Sequence, residues 1–245
     1  MKQKEFEFIG KTLYLTKKRI LVVGDLHLGY EYTFREPGSL IPATQFQETK
    51  NDLKKVFSEL KRQGKKIKKV VFLGDVKHFF AYMKAEKNLF LNLLELVGKY
   101  VSRKNIIVLK GNHEKMAEIA DKKLIDYYIE ENIAFIHGDK EFKKIFEEGI
   151  STIIMGHLHP AITLIDRQKI KSEKYKCFMD GKYRGKKVII VPSFLPTVEG
   201  TSVNEYLSDG LCIIPARNLK NFEVFIIGEK NVLDFGKLNK LFIHS

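Results

Sequence analysis

Leu21-Val22-Val23-Gly24-Asp25-Leu26-His27-Leu28-Gly29 is an apolar run that ends in a glycine-flanked Asp-x-His. The apolar part is typical of a short buried strand. Residues two apart on a nearly extended backbone point the same way, so the Asp25 carboxylate and the His27 imidazole can converge on one metal ion. An isolated motif of this kind is more typical of a surface turn, so its interpretation depends on the rest of the chain.

Four later segments repeat this arrangement of an apolar run that ends in Asp, Asn or His. The predicted strands cover 70–73, 106–109, 134–136 and 152–155, and they run into Gly74-Asp75-Val76-Lys77-His78, Gly111-Asn112-His113-Glu114, His137-Gly138-Asp139 and Gly156-His157-Leu158-His159. Of the seven histidines, only His244 lies outside these loops. Ligands of α/β sheets bind at the carboxyl ends of the strands, so the five loops predict one polar site at that edge.

Helices are predicted between these strands from the spacing of apolar residues, over 43–63, 84–100 and 114–128, with another between 139 and 152. Ahead of the first buried strand at 20–23, the alternating segment 6–14 predicts a hairpin around Gly10. Residues 30–42 carry two prolines and no helical period. They predict a loop beside the site.

The second half of the chain predicts a second set of strands. Asp180-Gly181, between two alternating segments, indicates a hairpin turn. Residues 192–208 form a predicted loop that could close over the site, although a plain surface connection agrees equally well with the sequence. Strands are expected at 161–165, 188–191 and 211–214, with 223–227 as the edge of the sheet.

Length and composition indicate one globular α/β domain that spans residues 1–245. No apolar run approaches the roughly 18 residues of a membrane span, so no membrane partner is expected. The first residues lack the features of a secretory signal, which predicts a cytoplasmic location. Cys177 and Cys212 follow no metal or redox spacing and are expected to be small apolar residues.

The formal charge of +13 permits two interpretations. An excess of lysine attracts polyanionic partners at long range. A surface rich in Lys and Glu is also a habit of thermophile proteins, without any ligand. The basic runs at 61–69 and 182–187 are open to the same two interpretations.

The chain resembles the calcineurin-like metallophosphoesterases in five motifs that occur in the right order between residues 20 and 160: Gly24-Asp25-Leu26-His27, Gly74-Asp75, Gly111-Asn112-His113-Glu114, His137-Gly138 and Gly156-His157-Leu158-His159. Leu28-Gly29, Val191-Pro192-Ser193-Phe194 and Gly200 are similar to archaeal ICC-like phosphoesterases, relatives of SbcD-type nucleases and of the ligase-associated phosphoesterase PdeM. The resemblance implies a four-layer αββα sandwich, in which two mixed β-sheets pack face to face between helices. It also implies a dinuclear metal site at one edge.

The resemblance further implies which residues bind the two metals. One metal is expected on Asp25, His27 and His159, the other on Asn112, His137 and His157, with Asp75 as the bridge. Oxygen and imidazole ligands without thiolate suit Mn²⁺, Fe or Zn²⁺, and Mn²⁺ is the expected ion. Two such ions can activate a bridging hydroxide, which is the expected nucleophile.

His113 lies outside this ligand set and is the expected catalytic residue. It could stabilise the phosphoryl oxygens or protonate the leaving oxygen. His78 departs from the family pattern, and its role is open between orienting a metal ligand and contacting the substrate. Glu114 and Asp139 could support ligands or be ordinary surface carboxylates, and neither is included in the predicted site.

The expected function is a metal-dependent phosphodiesterase, most simply a nuclease acting on nucleic acid. The alternative is a small-molecule phosphodiesterase or phosphatase that uses the same dinuclear site, since a fold does not select among phosphate esters. A basic groove leading to the metals would favour nucleic acid, and a closed pocket would favour a small substrate. A non-catalytic scaffold is a third interpretation, which the presence of all seven ligand positions and His113 argues against.

Overall fold

The computed structural model describes residues 5–34, 44–78, 84–114, 118–166, 168, 170–196 and 198–242. The strands are β1 Phe6–Ile9, β2 Thr12–Leu15, β3 Ile20–Val23, β4 Lys69–Phe72, β5 Ile106–Val108, β6 Glu118–Ile119, β7 Lys122–Lys123, β8 Tyr127–Glu130, β9 Ile133–Ile136, β10 Thr152–Met155, β11 Pro160–Ile165, β12 Ser172–Tyr183, β13 Lys186–Ile190, β14 Thr201–Ser202, β15 Glu223–Ile227 and β16 Val232–Lys237. The α-helices are α1 Gln45–Arg62, α2 Lys84–Gly98 and α3 Ala216–Leu219. Short 3₁₀ turns cover Tyr30–Phe34, Arg103–Asn105, Lys143–Phe146 and Leu238–Lys240.

The first sheet has the order β1-β2-β3-β4-β5. Its first three strands are antiparallel, and β3, β4 and β5 are parallel with α1 and α2 as crossovers. The hairpin around Gly10 is confirmed, and this glycine has the left-handed φ of 55° that a tight turn requires. The helices predicted over 43–63 and 84–100 are confirmed as α1 and α2.

The second sheet has the order β14-β11-β12-β13-β10-β9-β8, with β15 paired to β12 and β16 paired to β15. Strands β9, β10 and β13 are parallel, whereas β8 and β12 are antiparallel to their neighbours. Both sheets are therefore mixed, as predicted.

Apolar side chains fill three layers around these sheets. Between the sheets, Val22 and Val71 of the first pack with Phe135, Ile154 and Ile189 of the second. The other face of the first sheet is covered by α1 and α2. The outer face of the second sheet is covered by a thin layer that includes the 3₁₀ turn Lys143–Phe146 and α3. The predicted α/β architecture is confirmed, with unequal outer layers.

Two predicted helices are wrong. Within 114–128 the described residues form β6, β7 and the start of β8, because Ala120 and Asp121 take left-handed φ values of 51° and 57° that an α-helix cannot contain. Between 139 and 152 there is only a 3₁₀ turn, since the buried Ile145 and Ile150 are five residues apart and do not share a helix face.

Three predictions in the second half also fail. Asp180 and Gly181 lie inside β12, and the turn is at Arg184 and Gly185, which both have positive φ as a two-residue hairpin requires. Gly181 is instead a packing position, where a Cβ would collide with the Phe222 ring. Residues 211–214 form bends before α3, and 223–227 is not the edge because β16 pairs with it.

Within the described residues, no helix combines the length and the apolar character that crossing a membrane requires. Of the loop predicted at 30–42, Tyr30–Phe34 is a 3₁₀ turn, and residues 35–43 lie outside the described part of the chain. His244 also lies outside it.

Candidate metal centre

The carboxyl ends of β3, β4 and β5 face those of β9 and β10, and the predicted site residues meet there. Asp25 and His27 follow β3, and Asp75 follows β4. The loops after β5, β9 and β10 supply the remaining residues: Asn112, His113, His137, His157 and His159. The structure thus brings together all eight residues named from the sequence.

Asp25, His27 and His159 form the first cluster. The Nε2 atoms of His27 and His159 are 3.4 Å apart, and His159 Nε2 contacts Asp25 Oδ2. Burial lowers the pKa of His27 to about 3, so its imidazole is neutral and can bind a metal. Two ligand nitrogens about 2.1 Å from one tetrahedral metal would be separated by roughly 3.4 Å. These residues therefore fit a divalent cation.

Asp75, His137, His157 and Asn112 form the second cluster. His137 Nε2 lies 3.1 Å from Asn112 Oδ1, 3.0 Å from His157 Nδ1 and 3.4 Å from Asp75 Oδ2. Its other nitrogen, Nδ1, is 3.0 Å from the Leu73 carbonyl, which fixes the ring. One proton on Nε2 can serve only one of these neighbours, whereas a cation can bind all of them. This second group of donors also fits a divalent metal.

The charge balance of the two clusters favours a cation. Burial lowers the pKa of His137, but the carboxylates of Asp25 and Asp75 outweigh it and raise that pKa well above its ordinary value. Asp75 Oδ2 lies between the clusters, 3.7 Å from His27 Nε2 and 3.4 Å from His137 Nε2. Asp75 could therefore contact a cation bound at either cluster.

These side chains converge because of a backbone conformation that differs from the predicted one. His27, Asp75, His157 and His159 have left-handed φ values of 42°, 42°, 64° and 48°. The expectation of nearly extended Asp-x-His and His-x-His segments is therefore wrong. Tight turns at strand ends direct the rings, at a local conformational cost of a kind that often accompanies functional sites.

His113 lies beside both clusters. Its backbone N–H donates to Asp75 Oδ1 at 3.0 Å, and its ring Nδ1 contacts the His78 carbonyl. Its Nε2 lies 3.9 Å from Asp75 Oδ2. The His78 ring is close as well, with its centroid 5.4 Å from that of His113 and 4.8 Å from that of Tyr30. Both rings thus lie beside the two clusters of donor side chains.

Glu114 is a supporting residue that the predicted site omitted. Its buried carboxylate accepts backbone N–H bonds from Asp75 at 3.1 Å, Lys77 at 3.1 Å and Gly111 at 2.8 Å. Burial, assisted by the charge of Asp75, raises the pKa of Glu114 to about 7. Gly111 is tightly placed, because a Cβ there would collide with the Asp75 carboxylate. Glu114 thus joins the loop after β4, which contains Asp75 and Lys77, to the loop after β5, which contains Gly111.

Asp139, by contrast, pairs with Lys140 at 3.7 Å.

The start of the loop predicted at 192–208 supports Asp25 from within the fold. The Phe194 N–H and the Ser193 hydroxyl both donate to the Asp25 carbonyl, at 2.9 and 3.1 Å. Lys176 Nζ donates to the carbonyls of Ser193, at 2.9 Å, and Leu195. Residues 191–195 are buried, so this part is neither a lid nor a surface connection. No local pattern signals this role, because Ser193 lies 168 positions from Asp25 in the chain.

A family model for calcineurin-like phosphoesterases matches residues 18–210. The chain belongs to this family. It is a metal-dependent phosphoesterase, in a family whose members use two metal ions, and its substrate is a phosphate ester. The predicted family and enzyme class are confirmed.

Several solved structures are similar to the chain at low sequence identity, and the first of them shares its fold. Nuclease MPE from Pseudomonas putida is 19% identical, with a TM-score of 0.60 and coverage of 92% of each chain. Zinc-bound Vps29 from Entamoeba histolytica is 16% identical, with a TM-score of 0.37 and coverage of 89% of this chain and 99% of that one. A predicted phosphoesterase from Streptococcus pneumoniae is 14% identical, with a TM-score of 0.35 and coverage of 89% and 97%. No curated protein matches the chain.

Proposed function

We propose that this phosphoesterase hydrolyses phosphodiester bonds of nucleic acid. The observation that carries the catalytic part is the pair of donor clusters that share Asp75. One metal would be held by Asp25, His27 and His159, and the other by Asn112, His137 and His157, with Asp75 bound to both. The donor set of carboxylate, amide and imidazole without thiolate supports Mn²⁺, with Fe or Zn²⁺ as alternatives.

The metal pair, when bound, supplies activation of water and stabilisation of charge on the phosphoryl group. The protein residues then hold and orient the substrate. The His113 Nδ1–H donates to the His78 carbonyl, which directs Nε2 toward Asp75 and the clusters. A proton on Nε2 can pass to the leaving oxygen, and the same N–H can bind a phosphoryl oxygen before transfer.

Two observations support nucleic acid as the substrate. The Pseudomonas putida neighbour is a nuclease, and the chain carries a formal charge of +13.

A third observation favours the alternative, a small-molecule phosphodiesterase or phosphatase. The described segments at the catalytic edge, 24–34, 73–78, 109–114, 137–142, 156–160 and 191–196, contain three Lys and six Asp or Glu. No basic groove leads to the clusters among these residues.

A Mn²⁺-supplemented activity panel distinguishes the two substrates. The panel contains a phosphate bis-ester, a mono-ester, a single-stranded nucleic acid and a duplex, with the Asp75→Asn variant as the blank. We expect the bis-ester and at least one nucleic acid to be cleaved, and the mono-ester to be cleaved poorly. Turnover of small esters alone would reject the nuclease proposal and support the alternative.

A further inference from the structure

The positive charge of the chain is concentrated at the edge of the two sheets that lies opposite the clusters of donor side chains. Six segments form this edge, which we call the distal rim: 16–19, 63–69, 99–105, 130–132, 147–151 and 182–187. They lie at the amino ends of β3, β4, β5, β9, β10 and β13. They contain 14 Lys or Arg and four Glu, an excess of ten positive charges out of the formal +13 of the whole chain.

The distal rim is far from the catalytic edge. Arg19 precedes β3 and is six positions from Asp25, and Lys69 begins β4 and is six positions from Asp75. At about 3.3 Å per residue, each strand places its rim cation roughly 20 Å from its metal ligand. A phosphate bound at the rim is therefore not the one that the metal centre hydrolyses.

Many rim cations are exposed and lack an acidic partner. Five rim cations form an ion pair: Lys18 with Glu131, Lys65 with Glu7, Lys69 with Glu130, Arg184 with Glu141 and Lys187 with Asp180. Eight others are exposed and form no ion pair within the described part of the chain: Lys17, Arg19, Lys66, Lys68, Lys99, Arg103, Lys104 and Lys182. These side chains can neutralise a partner's charge without first breaking an ion pair.

The backbone beneath these cations is fixed. The Arg19 carbonyl accepts N–H bonds from Lys68 at 2.7 Å and Lys69 at 3.3 Å, which joins the first two rim segments. The Tyr14 hydroxyl donates to the Lys66 carbonyl at 2.7 Å. A polar depression lies between these segments, lined by Tyr14, Thr16, Arg19, Gly64, Lys65 and Lys66. The cations are thus carried by a frame that need not reorganise on binding.

We propose that the distal rim binds the phosphate backbone of a nucleic-acid duplex, independently of the metal centre. Neighbouring strands about 4.8 Å apart and sheets about 10 Å apart give a face that can meet several phosphates at once. The described rim segments contain two aromatic residues and no array of exposed rings: Tyr183 is buried, and the Tyr100 ring is stacked on Phe57 at 4.0 Å. The rim therefore contacts phosphates without reading base sequence.

Two variants of equal net charge test this assignment. The rim variant carries Lys17→Gln, Lys66→Gln and Lys182→Gln. The control variant carries Lys54→Gln, Lys171→Gln and Lys230→Gln, three exposed lysines outside the rim. Binding of each protein to a short duplex is measured in a chelator across a range of salt, so that cleavage does not interfere.

We expect the wild type and the control variant to share one slope of log K against log salt. The rim variant should have a slope smaller in magnitude by about 2 to 3, since each duplex phosphate contact contributes about −0.9. With Mn²⁺ restored, all three proteins should hydrolyse a small phosphate bis-ester equally, which shows that the metal centre is intact.

Equal slopes for the two variants, or no duplex binding by the wild type, would overturn the proposal. So would rim-dependent binding to phosphatidylserine vesicles without duplex binding, which would identify a membrane surface as the partner. If no nucleic acid is cleaved but duplex binding depends on the rim, the nuclease proposal fails and the rim proposal stands.

Discussion

The two ends of the same parallel strands have opposite chemistry. At the carboxyl ends, the Asp25 and Asp75 carboxylates are buried among imidazoles on left-handed turns. At the amino ends, the distal rim presents exposed lysines such as Lys17 and Lys66. Few substitutions can be tolerated at the first edge, because its buried carboxylates and imidazoles lie within about 4 Å of one another. Single charges at the second edge are individually replaceable.

This difference shows how far net charge can guide a functional assignment. The formal +13 suggests a cationic substrate groove, yet the described catalytic edge holds more acidic than basic residues. Long-range attraction depends on where the charges lie as well as on their sum. Affinity for a polyanion and hydrolysis of an ester can therefore belong to different surfaces of this molecule.

The largest expected effect is at the shared ligand. Asp75→Asn removes an anionic group that faces both clusters, so we expect occupancy of both metals to fall and turnover to be abolished. Elemental analysis and bis-ester hydrolysis measure the two outcomes. Glu141→Gln is the control that removes one carboxylate charge, since that exposed side chain pairs with Arg184, and it should behave as the wild type. Two metal equivalents and normal turnover in Asp75→Asn would show that the dinuclear assignment is wrong.

A smaller effect on turnover is expected when the proposed proton donor is removed and metal binding is retained. His113→Ala should keep both metals and lose roughly 10²–10⁴-fold in turnover, the usual contribution of a positioned proton donor. An ester with an acidic phenol leaving group needs no protonation, so its hydrolysis should fall less. An equal fall for both esters would assign His113 to phosphoryl stabilisation. Loss of one metal equivalent would instead make it a ligand.

The sequence was sufficient for features that depend on local patterns. Apolar runs located β3, β4, β5, β9 and β10, and the polar residues after them predicted that one edge holds the site. Helix spacing located α1 and α2. The predictions from local patterns were wrong at two kinds of position. At Ala120 and Asp121 the left-handed backbone conformation excludes the predicted helix, and at Gly181 the glycine is required by packing against Phe222 and not by a turn.

Long-range support could not be predicted in the same way. The role of Glu114 depends on N–H groups in two different loops, and the role of Ser193 depends on a carbonyl 168 residues away. A single sequence contains no signal for such contacts. The side-chain set of the site was therefore predictable, whereas its supporting hydrogen bonds required the three-dimensional structure.

Residues that position the metal ligands should contribute less to metal binding than the ligands themselves. Glu114→Gln leaves one acceptor oxygen for three backbone N–H groups, so at least one of them faces an amide NH₂. We expect metal affinity to weaken by about 10–100-fold and stability to fall by about 1–3 kcal/mol. Metal titration and denaturant unfolding measure these changes. Glu118→Gln changes an exposed glutamate four residues away and should alter neither quantity. Unchanged metal affinity in Glu114→Gln would remove its proposed positioning role.

The last comparison, in which only stability is expected to change, is between a half-buried lysine near the catalytic edge and an exposed lysine of the rim. Burial, with a smaller contribution from the charge of Lys11, lowers the pKa of Lys176 to about 7, although Asp25 and Asp52 oppose this shift. Between pH 7 and about 10.5 the folded protein then binds fewer protons at Lys176 than the unfolded chain does. The free energy of unfolding therefore rises with pH in this interval, because the cost of burying a charged ammonium is progressively removed.

Lys176→Met removes this titration and also leaves the carbonyls of Ser193 and Leu195 without their donor. The lost hydrogen bonds give an offset that does not depend on pH. The titration gives a difference in the free energy of unfolding between wild type and variant that grows with pH from about 7, by at most about 1.4 kcal/mol per pH unit. Urea unfolding at a series of pH values measures the difference, and groups common to both proteins cancel. Lys66→Gln, at an exposed lysine of the distal rim, is the control substitution. If the difference between wild type and Lys176→Met stayed constant across this interval, Lys176 would be charged in its half-buried position, held by the two carbonyls and the nearby carboxylates. The contrast between the two lysines would then be one of packing alone.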